Sequence, residues 1–282
     1  MKFALIKRDG SSLSLHRLVQ RAFIFSQYGL GASCRQEAFD AATKLVNHRF
    51  PKTRGSHLFE KWEICADYLA HAISLAEFYN TMKRTKNPLN GSDEFDELVK
   101  NASWYQYEIG ELQGALDMLM IGFDSCQDAN GLQYAHFCNM AGCIYFERND
   151  LVRCRKVHEK ARAIREPLGD PDNELPNTYS NMANLLLSEG RFDESLEMNE
   201  KAMKLRAPKP GVASTYLALN HMITGRIHRL KRDFPKAREW YQRSGDMFVQ
   251  LKEGESFLRG WLVFSGHGNY ESMTANLTKS LL

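Results

Sequence analysis

The chain of 282 residues has few of the features that would place a protein in a membrane or export it. No stretch approaches the roughly 20 consecutive apolar residues that a membrane-spanning helix needs. The first residues contain only a four-residue apolar run, Phe3 to Ile6, which is too short for a secretion signal. We therefore expect a cytoplasmic protein without a membrane partner, built as one long domain or two short ones.

Cysteine pairs and excess charge are also missing. No two of the six cysteines form a Cys-x-x-Cys motif, and this usage favours reduced core thiols over disulfides. The net charge of +3 is too small to indicate nucleic acid by itself. Apolar residues make up 43% and charged residues 25% of the chain, which is an ordinary balance for a globular protein.

Motifs of catalysis and phosphate binding are absent. The sequence has no Gly-x-x-x-x-Gly-Lys-Ser/Thr, His-Glu-x-x-His, Gly-x-Ser-x-Gly or Gly-x-Gly-x-x-Gly. His221 and His228 lie two helical turns apart, which is too far for two ligands of one metal. Cys138 and Cys143 fall near small packing positions, and the acidic run 170–174 lacks the Gly and terminal Glu of a calcium loop. We predict no enzyme activity, cofactor or metal, and keep an enzyme with an unrecognised site as a distant alternative.

A pattern of small residues recurs along the second half of the chain. Around Gly190, small residues stand seven positions before and five and twelve positions after: Ala183, Ser195 and Ala202. The same offsets hold around three further anchors: Gly110, Asn149 and Arg232. A poorer copy begins at Gly268. Subtracting the anchor numbers gives spacings of 39, 41, 42 and 36 residues, a period that predicts stacked structural repeats.

Each repeat has the pattern of two amphipathic helices. In the repeat from 176 to 207, the first helix places apolar residues at i, i+3, i+4 and i+7: Tyr179, Met182, Ala183 and Leu186. Pro208 and Pro210 end the second helix. Small residues where the two helices cross let their backbones approach closely. The sequence therefore predicts an all-α stack of helical hairpins.

The offsets resemble those of the tetratricopeptide repeat. The resemblance rests on Met182-Ala183, Leu186, Gly190-Arg191-Phe192, Ser195 and Ala202. The period near 41 is similar to the long-repeat subtype of kinesin light chains and fungal nucleotide-switch proteins. This resemblance implies a right-handed superhelix, an α-solenoid, of about four to five helical hairpins over 92–282. Its first helices would line a concave face that binds a protein or peptide.

The front third resembles a different junction. FALIKR and SLSLHRLVQ flank Asp9-Gly10, a turn signal that predicts a β-hairpin, and helices are expected from about 15, over 33–49 and over 56–83. With Phe50-Pro51, Trp62, Cys65 and His71, this order resembles fungal NB-ARC or NACHT proteins that carry tetratricopeptide repeats. The resemblance implies a remnant winged-helix hairpin at 1–20 and a helical adaptor at 21–91. It also implies the sensor or autoinhibitory arm of a nucleotide-dependent switch, although Ala70 replaces the Pro of that pattern.

Counting positions from each anchor identifies the first-helix residues that should face the concave surface. The candidate partner-binding residues among them are Lys100, Trp104, Tyr107, Asn139, Phe146, Asn181, Asn184, Arg226 and Arg229. Asn is a mediocre helix former, so Asn181 and Asn184 on one inward face indicate hydrogen bonding to an extended main chain. The alternative is that these two residues only bridge neighbouring repeats. Trp104, Tyr107 and Phe146 are either ligand anchors or core residues.

Charge is uneven along the stack. Residues 92–128 contain nine acidic residues and one basic residue, whereas 225–243 contain seven basic and two acidic. This difference favours electrostatic orientation of a polar partner, although solvated outer helix faces would give the same counts. Nucleic acid is disfavoured because the acidic end would repel phosphate. We predict non-enzymatic recognition of a protein or peptide, with a self-associating scaffold as the first alternative.

Overall fold

Two strands and ten α-helices make up the part of the chain that the structure, a computed structural model, describes: residues 6–9, 12–15, 31–53, 58–169, 173–206 and 214–250. Strands β1 (Ile6–Asp9) and β2 (Ser12–Leu15) pair antiparallel. Asp9 pairs with Ser12 in the hairpin that the sequence predicted. The predicted helix from about 15 to 20 and the copy at Gly268 lie outside the described residues. The assignment of the hairpin to a winged helix stays a prediction.

The helices are α1 (Ala32–Arg49), α2 (Trp62–Lys83), α3 (Asp93–Glu108), α4 (Leu112–Ser125), α5 (Leu132–Glu147), α6 (Leu151–Leu168), α7 (Leu175–Ser188), α8 (Phe192–Arg206), α9 (Thr215–Leu230) and α10 (Phe234–Gln250). A 3-10 turn over Phe59–Lys61 precedes α2. The helix therefore begins at Trp62, later than the predicted start near position 56. The Leu58 N–H, just before this turn, donates to the Glu108 carboxylate.

Helices α3 to α10 form four hairpins, called units one to four below: α3–α4, α5–α6, α7–α8 and α9–α10. The four anchors all have left-handed backbone, with φ of 83° at Gly110, 56° at Asn149, 75° at Gly190 and 62° at Arg232. In each turn the N–H after the anchor reaches the carbonyl five residues back, as from Glu111 to Gln106 at 2.8 Å. This bond pattern satisfies the last carbonyls of a helix. The anchors are thus the helix-stop positions, and the all-α solenoid is confirmed.

The small positions of the repeat lie where helices cross. Ala183, Ser195 and Ala202 are fully buried, and the Ser195 hydroxyl donates to the Ala183 carbonyl at 2.7 Å across the hairpin. A Cβ atom added to Gly142 would collide with the His158 ring, and one added to Gly225 would lie 2.8 Å from Tyr241. Helix-to-helix approach at these points leaves no room for a larger side chain.

The apolar core divides along the stack. One cluster joins α1, α2 and units one and two, and a second joins units three and four. Between them stands the fully buried Arg165, which donates to the Ala135 carbonyl at 3.3 Å and to the Thr178 hydroxyl at 3.0 Å. A buried guanidinium needs such acceptors, so this junction is held by directional polar contacts.

The described residues between α1 and α2, 50–53 and 58–61, contact unit one through polar groups. The Glu108 carboxylate, 3% exposed, accepts hydrogen bonds from the Leu58 N–H and from the indole N–H groups of Trp62 (2.8 Å) and Trp104 (2.6 Å). Lys52 forms an ion pair with Glu97 at 2.9 Å. The segment after α1 is therefore held against the inner face of α3 at both of its ends.

Replacing Gly142 by Ala should destabilise the protein by about 1–3 kcal/mol, because the new methyl group collides with the buried His158 ring. Gly245 in α10 is the matched control, since no atom lies within 4 Å of a Cβ added there. Gly245→Ala should stabilise the protein by about 0.5–1 kcal/mol through helix propensity. Urea denaturation measures both values, and equal stabilisation by the two changes would contradict the close crossing.

A buried carboxyl near the start of α3 gives a pH prediction. Asp96 is 5% exposed and accepts a hydrogen bond from the Ser125 hydroxyl. Burial raises the pKa of Asp96 to about 6, with a further increase from Asp93 and an opposing effect of the Ser125 hydrogen bond. A carboxyl whose folded pKa is raised stabilises the fold fully below its unfolded pKa and loses that contribution as pH rises through the folded pKa.

Asp96→Asn should therefore be more stable than the wild type by about 1–3 kcal/mol at pH 7.5, and this advantage should shrink toward pH 5. The difference between the two unfolding free energies, measured in urea at several pH values, removes the contribution of the other titrating groups. A difference that is constant from pH 5 to pH 8 would show that Asp96 is not the group concerned.

Candidate functional site

A cleft of about 590 Å³ runs along the inner face of the solenoid and is lined mainly by the first helix of each unit, α3, α5, α7 and α9. All nine sequence-predicted residues line it: Lys100, Trp104, Tyr107, Asn139, Phe146, Asn181, Asn184, Arg226 and Arg229. The structure therefore brings together residues that are far apart in sequence, up to the 129 positions that separate Lys100 from Arg229. Their role in binding a partner stays a prediction.

Two hydrogen-bonded contacts cross from unit to unit along the cleft. The Asn181 amide donates to Asn139 Oδ1 at 3.2 Å and to Cys143 Sγ at 3.3 Å. Arg226 donates to Asn184 Oδ1 at 3.2 Å. The bridging alternative for both asparagines is thus seen in the structure. Each of them is only partly buried, however, and also lines the cleft.

A denser polar network connects units three and four at one edge of the cleft. Arg206, at the end of α8, donates to Ser180 at 2.8 Å and to the side-chain oxygens of Asn177 and Asn220. Its guanidinium lies 5.0 Å from the centre of the Tyr216 ring, a cation–π distance. The hydrogen bonds orient the amides of Asn177 and Asn220, so this edge of the cleft is preorganised.

The three aromatic candidates differ in exposure. Trp104 is half-buried, and its indole N–H is bound to Glu108, so only its ring faces the cleft. Tyr107 is 6% exposed, and burial raises its pKa well above the usual value. Phe146 is half-buried. Trp104 and Phe146 offer ring surface to a ligand, whereas Tyr107 belongs mostly to the core.

The basic end of the cleft has cations without acidic partners. Arg226 is half-buried, and burial lowers its pKa, with a smaller lowering by the nearby Arg229. Among the described residues, neither arginine forms an ion pair with a carboxylate. A half-buried guanidinium without a counter-charge is costly, and an anionic group in the cleft would relieve that cost.

Sequence reasoning missed two rings that line the cleft from the second helices of their units, His158 and Tyr241. Both lie beneath a glycine of the first helix, Gly142 and Gly225 respectively. Burial, with the nearby Arg165 charge, lowers the pKa of His158 to about 4, so its imidazole is neutral at physiological pH. The sequence signal that could have identified these two rings is a glycine seven positions before an anchor together with a ring-bearing residue nine positions after the same anchor.

The other residues considered from the sequence do not meet. His221 packs against Trp240 with ring centres 5.2 Å apart, whereas His228 faces Asp233. Cys138 is a core residue, but Cys143 lines the cleft. Within the described ranges, no group of three or more His, Cys, Asp or Glu residues could hold a metal ion. No helix in those ranges is long and apolar enough to cross a membrane.

The fold and the cleft together define a tetratricopeptide-type α-solenoid. The tetratricopeptide repeat family model matches residues 134–207 and 174–250, which lie in units two, three and four. Such repeats generally mediate protein–protein interactions and typically serve as non-catalytic scaffolds. No curated protein is similar to this chain in sequence at a significant level.

Solved structures of similar shape support the same class. The crystal structure of BtubC (BKLC) from P. vanneervenii shares 11% identity, with 79% of this chain and 93% of that chain covered and a TM-score of 0.50. A Podosopora anserina protein described as a kinesin light chain with nearly identical TPR-like repeats shares 9% identity. The match covers 77% of this chain and 97% of that one, with a TM-score of 0.53. A point variant of the same Podosopora anserina protein gives a TM-score of 0.54. At these identities the likeness concerns the fold alone.

Proposed function

We propose that the cleft binds an extended segment of a partner protein by hydrogen bonds to that segment's main chain. A contact within the chain itself carries this proposal. Asn101, nine positions before the anchor Gly110, donates its amide to the Glu97 carbonyl at 2.8 Å. Its Oδ1 accepts the main-chain N–H of Thr53 at 3.0 Å. At this repeat position an asparagine binds the backbone of a non-helical segment.

Asn181 holds the equivalent position, nine before Gly190. Its Nδ2 donates to Asn139 and Cys143, while no described residue donates to its Oδ1. Asn184 is reversed, because its Oδ1 accepts from Arg226 and its Nδ2 has no acceptor among the same residues. An acceptor and a donor one helical turn apart match the N–H and C=O groups of an extended main chain.

The charge of the cleft supports a direction for the partner. Arg226 and Arg229 lie at the fourth unit without carboxylate partners among the described residues. An acidic or carboxyl-terminal group of the partner segment would be favoured at that end. The half-buried rings of Trp104 and Phe146 offer apolar contact toward the other end.

Asn181→Ala combined with Asn184→Ala should weaken the binding of peptides selected by the wild-type protein from a random 12-residue library about 10- to 100-fold. The reason is that two hydrogen bonds to the main chain are lost. Arg226→Glu should weaken the same peptides further by charge repulsion. Fluorescence anisotropy with labelled peptides measures the affinities.

Matched controls separate the cleft from the rest of the surface. Asn80→Ala, in α2, makes the same Asn-to-Ala change away from the cleft. Arg238→Glu makes the same charge reversal as Arg226→Glu, on an exposed residue of α10. Both should bind like the wild type. If the cleft variants fold normally and keep their affinity, the assignment of the cleft as the binding site is wrong.

The finer role that we propose is the sensor or autoinhibitory arm of a fungal nucleotide-dependent switch in the cytoplasm. The support is the sequence resemblance of LHRLVQ at 15–20 and of Phe50-Pro51, Trp62, Cys65 and His71 to NB-ARC or NACHT proteins with tetratricopeptide repeats. A cleft that binds a segment of another domain would suit an arm that holds such a switch closed.

Purification of the protein from its native source, followed by mass spectrometry, tests this role. We expect peptides that read upstream of Met1 into a nucleotide-binding domain, or a nucleotide-binding protein retained in stoichiometric amount. Retention of an unrelated single protein would make the chain a free-standing adaptor. Retention of further copies of this chain alone, with an elution mass that rises with concentration, would support the self-associating scaffold.

A further inference from the structure

The first helices do not form a closed wall along the cleft, because two of them carry a glycine at the same repeat position. Seven positions before the anchors stand Ser103, Gly142, Ala183 and Gly225. At Gly142 and Gly225, rings from the second helices, His158 and Tyr241, come within 3 Å of where a Cβ would be and line the cleft. In units one and three the equivalent residues, Leu119 and Asn199, are buried and do not line it.

Packing alone does not require a histidine at position 158. Leu119 fills the equivalent place in unit one and is fully buried. His158 is 1% exposed, and its Nδ1 has no hydrogen-bond partner among the described residues. A buried polar atom without a partner lowers stability by about 1–3 kcal/mol relative to a satisfied one. A leucine would avoid this cost, and the imidazole that bears it lines the cleft, where a bound segment could meet the ring.

The surroundings of His158 restrict the group that could meet it. Met140, Cys143 and Tyr107 also line the cleft, and a buried apolar setting disfavours any charged group. Arg165 is close enough to affect the imidazole and would repel a cation. A neutral imidazole has one donor and one acceptor nitrogen. A hydroxyl both donates and accepts, so it can pair with the imidazole in either tautomer.

We propose that His158 is a specificity residue of the cleft, and that it pairs through the opening at Gly142 with the hydroxyl of a Ser or Thr in the partner segment. This inference rests on the proposed function, because it assumes an extended segment bound along α5 and α7. It adds a side-chain requirement to main-chain contacts that would otherwise accept many sequences.

Peptides selected by the wild-type protein from a random 12-residue library provide the probe. We expect Ser or Thr at one fixed position, and its replacement by Ala should weaken binding to the wild type about tenfold. His158→Leu, which introduces the residue found at the equivalent position 119, should bind the hydroxyl peptide and its Ala form equally. Asn181→Ala should weaken both peptides alike, because it removes a main-chain contact.

The same set of variants separates two kinds of failure. If Asn181→Ala has no effect on any selected peptide, the proposed function fails. If Asn181→Ala weakens binding but the Ser or Thr preference is absent, or persists in His158→Leu, this inference alone is overturned. Should His158→Leu not fold, the imidazole nitrogen resonances of wild-type His158 decide the matter. They should shift when the hydroxyl peptide binds and not when its Ala form binds. Identical spectra with the two peptides would indicate that only a bound water pairs with the imidazole, which would overturn the inference.

Discussion

The close crossing of paired helices is the constraint on which the rest of the molecule depends. Ala183, Ser195 and Ala202 are buried at the crossing of α7 and α8, and their counterparts recur in every unit. Because these side chains are small, the two helices of each hairpin pack closely and the hairpins can stack. Stacking places the first helices side by side along one cleft. Where the small residue is glycine, the crossing is close enough for a ring of the second helix to reach the cleft.

Two kinds of contact hold the stack together, and they have different consequences. Apolar clusters join α1 and α2 to units one and two and join unit three to unit four. Polar networks around Arg165 and Arg206 join α5, α6 and α7 and join units three and four. Apolar contacts supply most of the stability, whereas hydrogen-bonded networks fix the orientation of side chains. Asn177 and Asn220 are therefore held in place before any partner arrives.

Much of the fold could be predicted because its signals are local. The anchors Gly110, Asn149, Gly190 and Arg232 were read from spacing alone, and all four have left-handed backbone. The start of α2 was predicted wrongly, because a 3-10 turn over Phe59–Lys61 precedes the helix. The Glu108 carboxylate contacts Leu58 beside this turn from 50 positions away, and a contact of that separation leaves no periodic trace in the sequence.

The sequence by itself determined the helical hairpins, their number within the described residues and the inward direction of the nine candidate residues, because each follows from a period of 3.6 or about 41 positions. Only the tertiary structure decided what those residues do with their polar atoms. It showed that the Trp104 indole N–H donates to Glu108. It also showed that Asn181 and Asn184 each use one end of the amide to bridge units, while no described residue pairs with the other end. It also brought His158 through the opening at Gly142. Hydrogen bonds depend on atomic distances between units, which the order of residues along one helix does not specify.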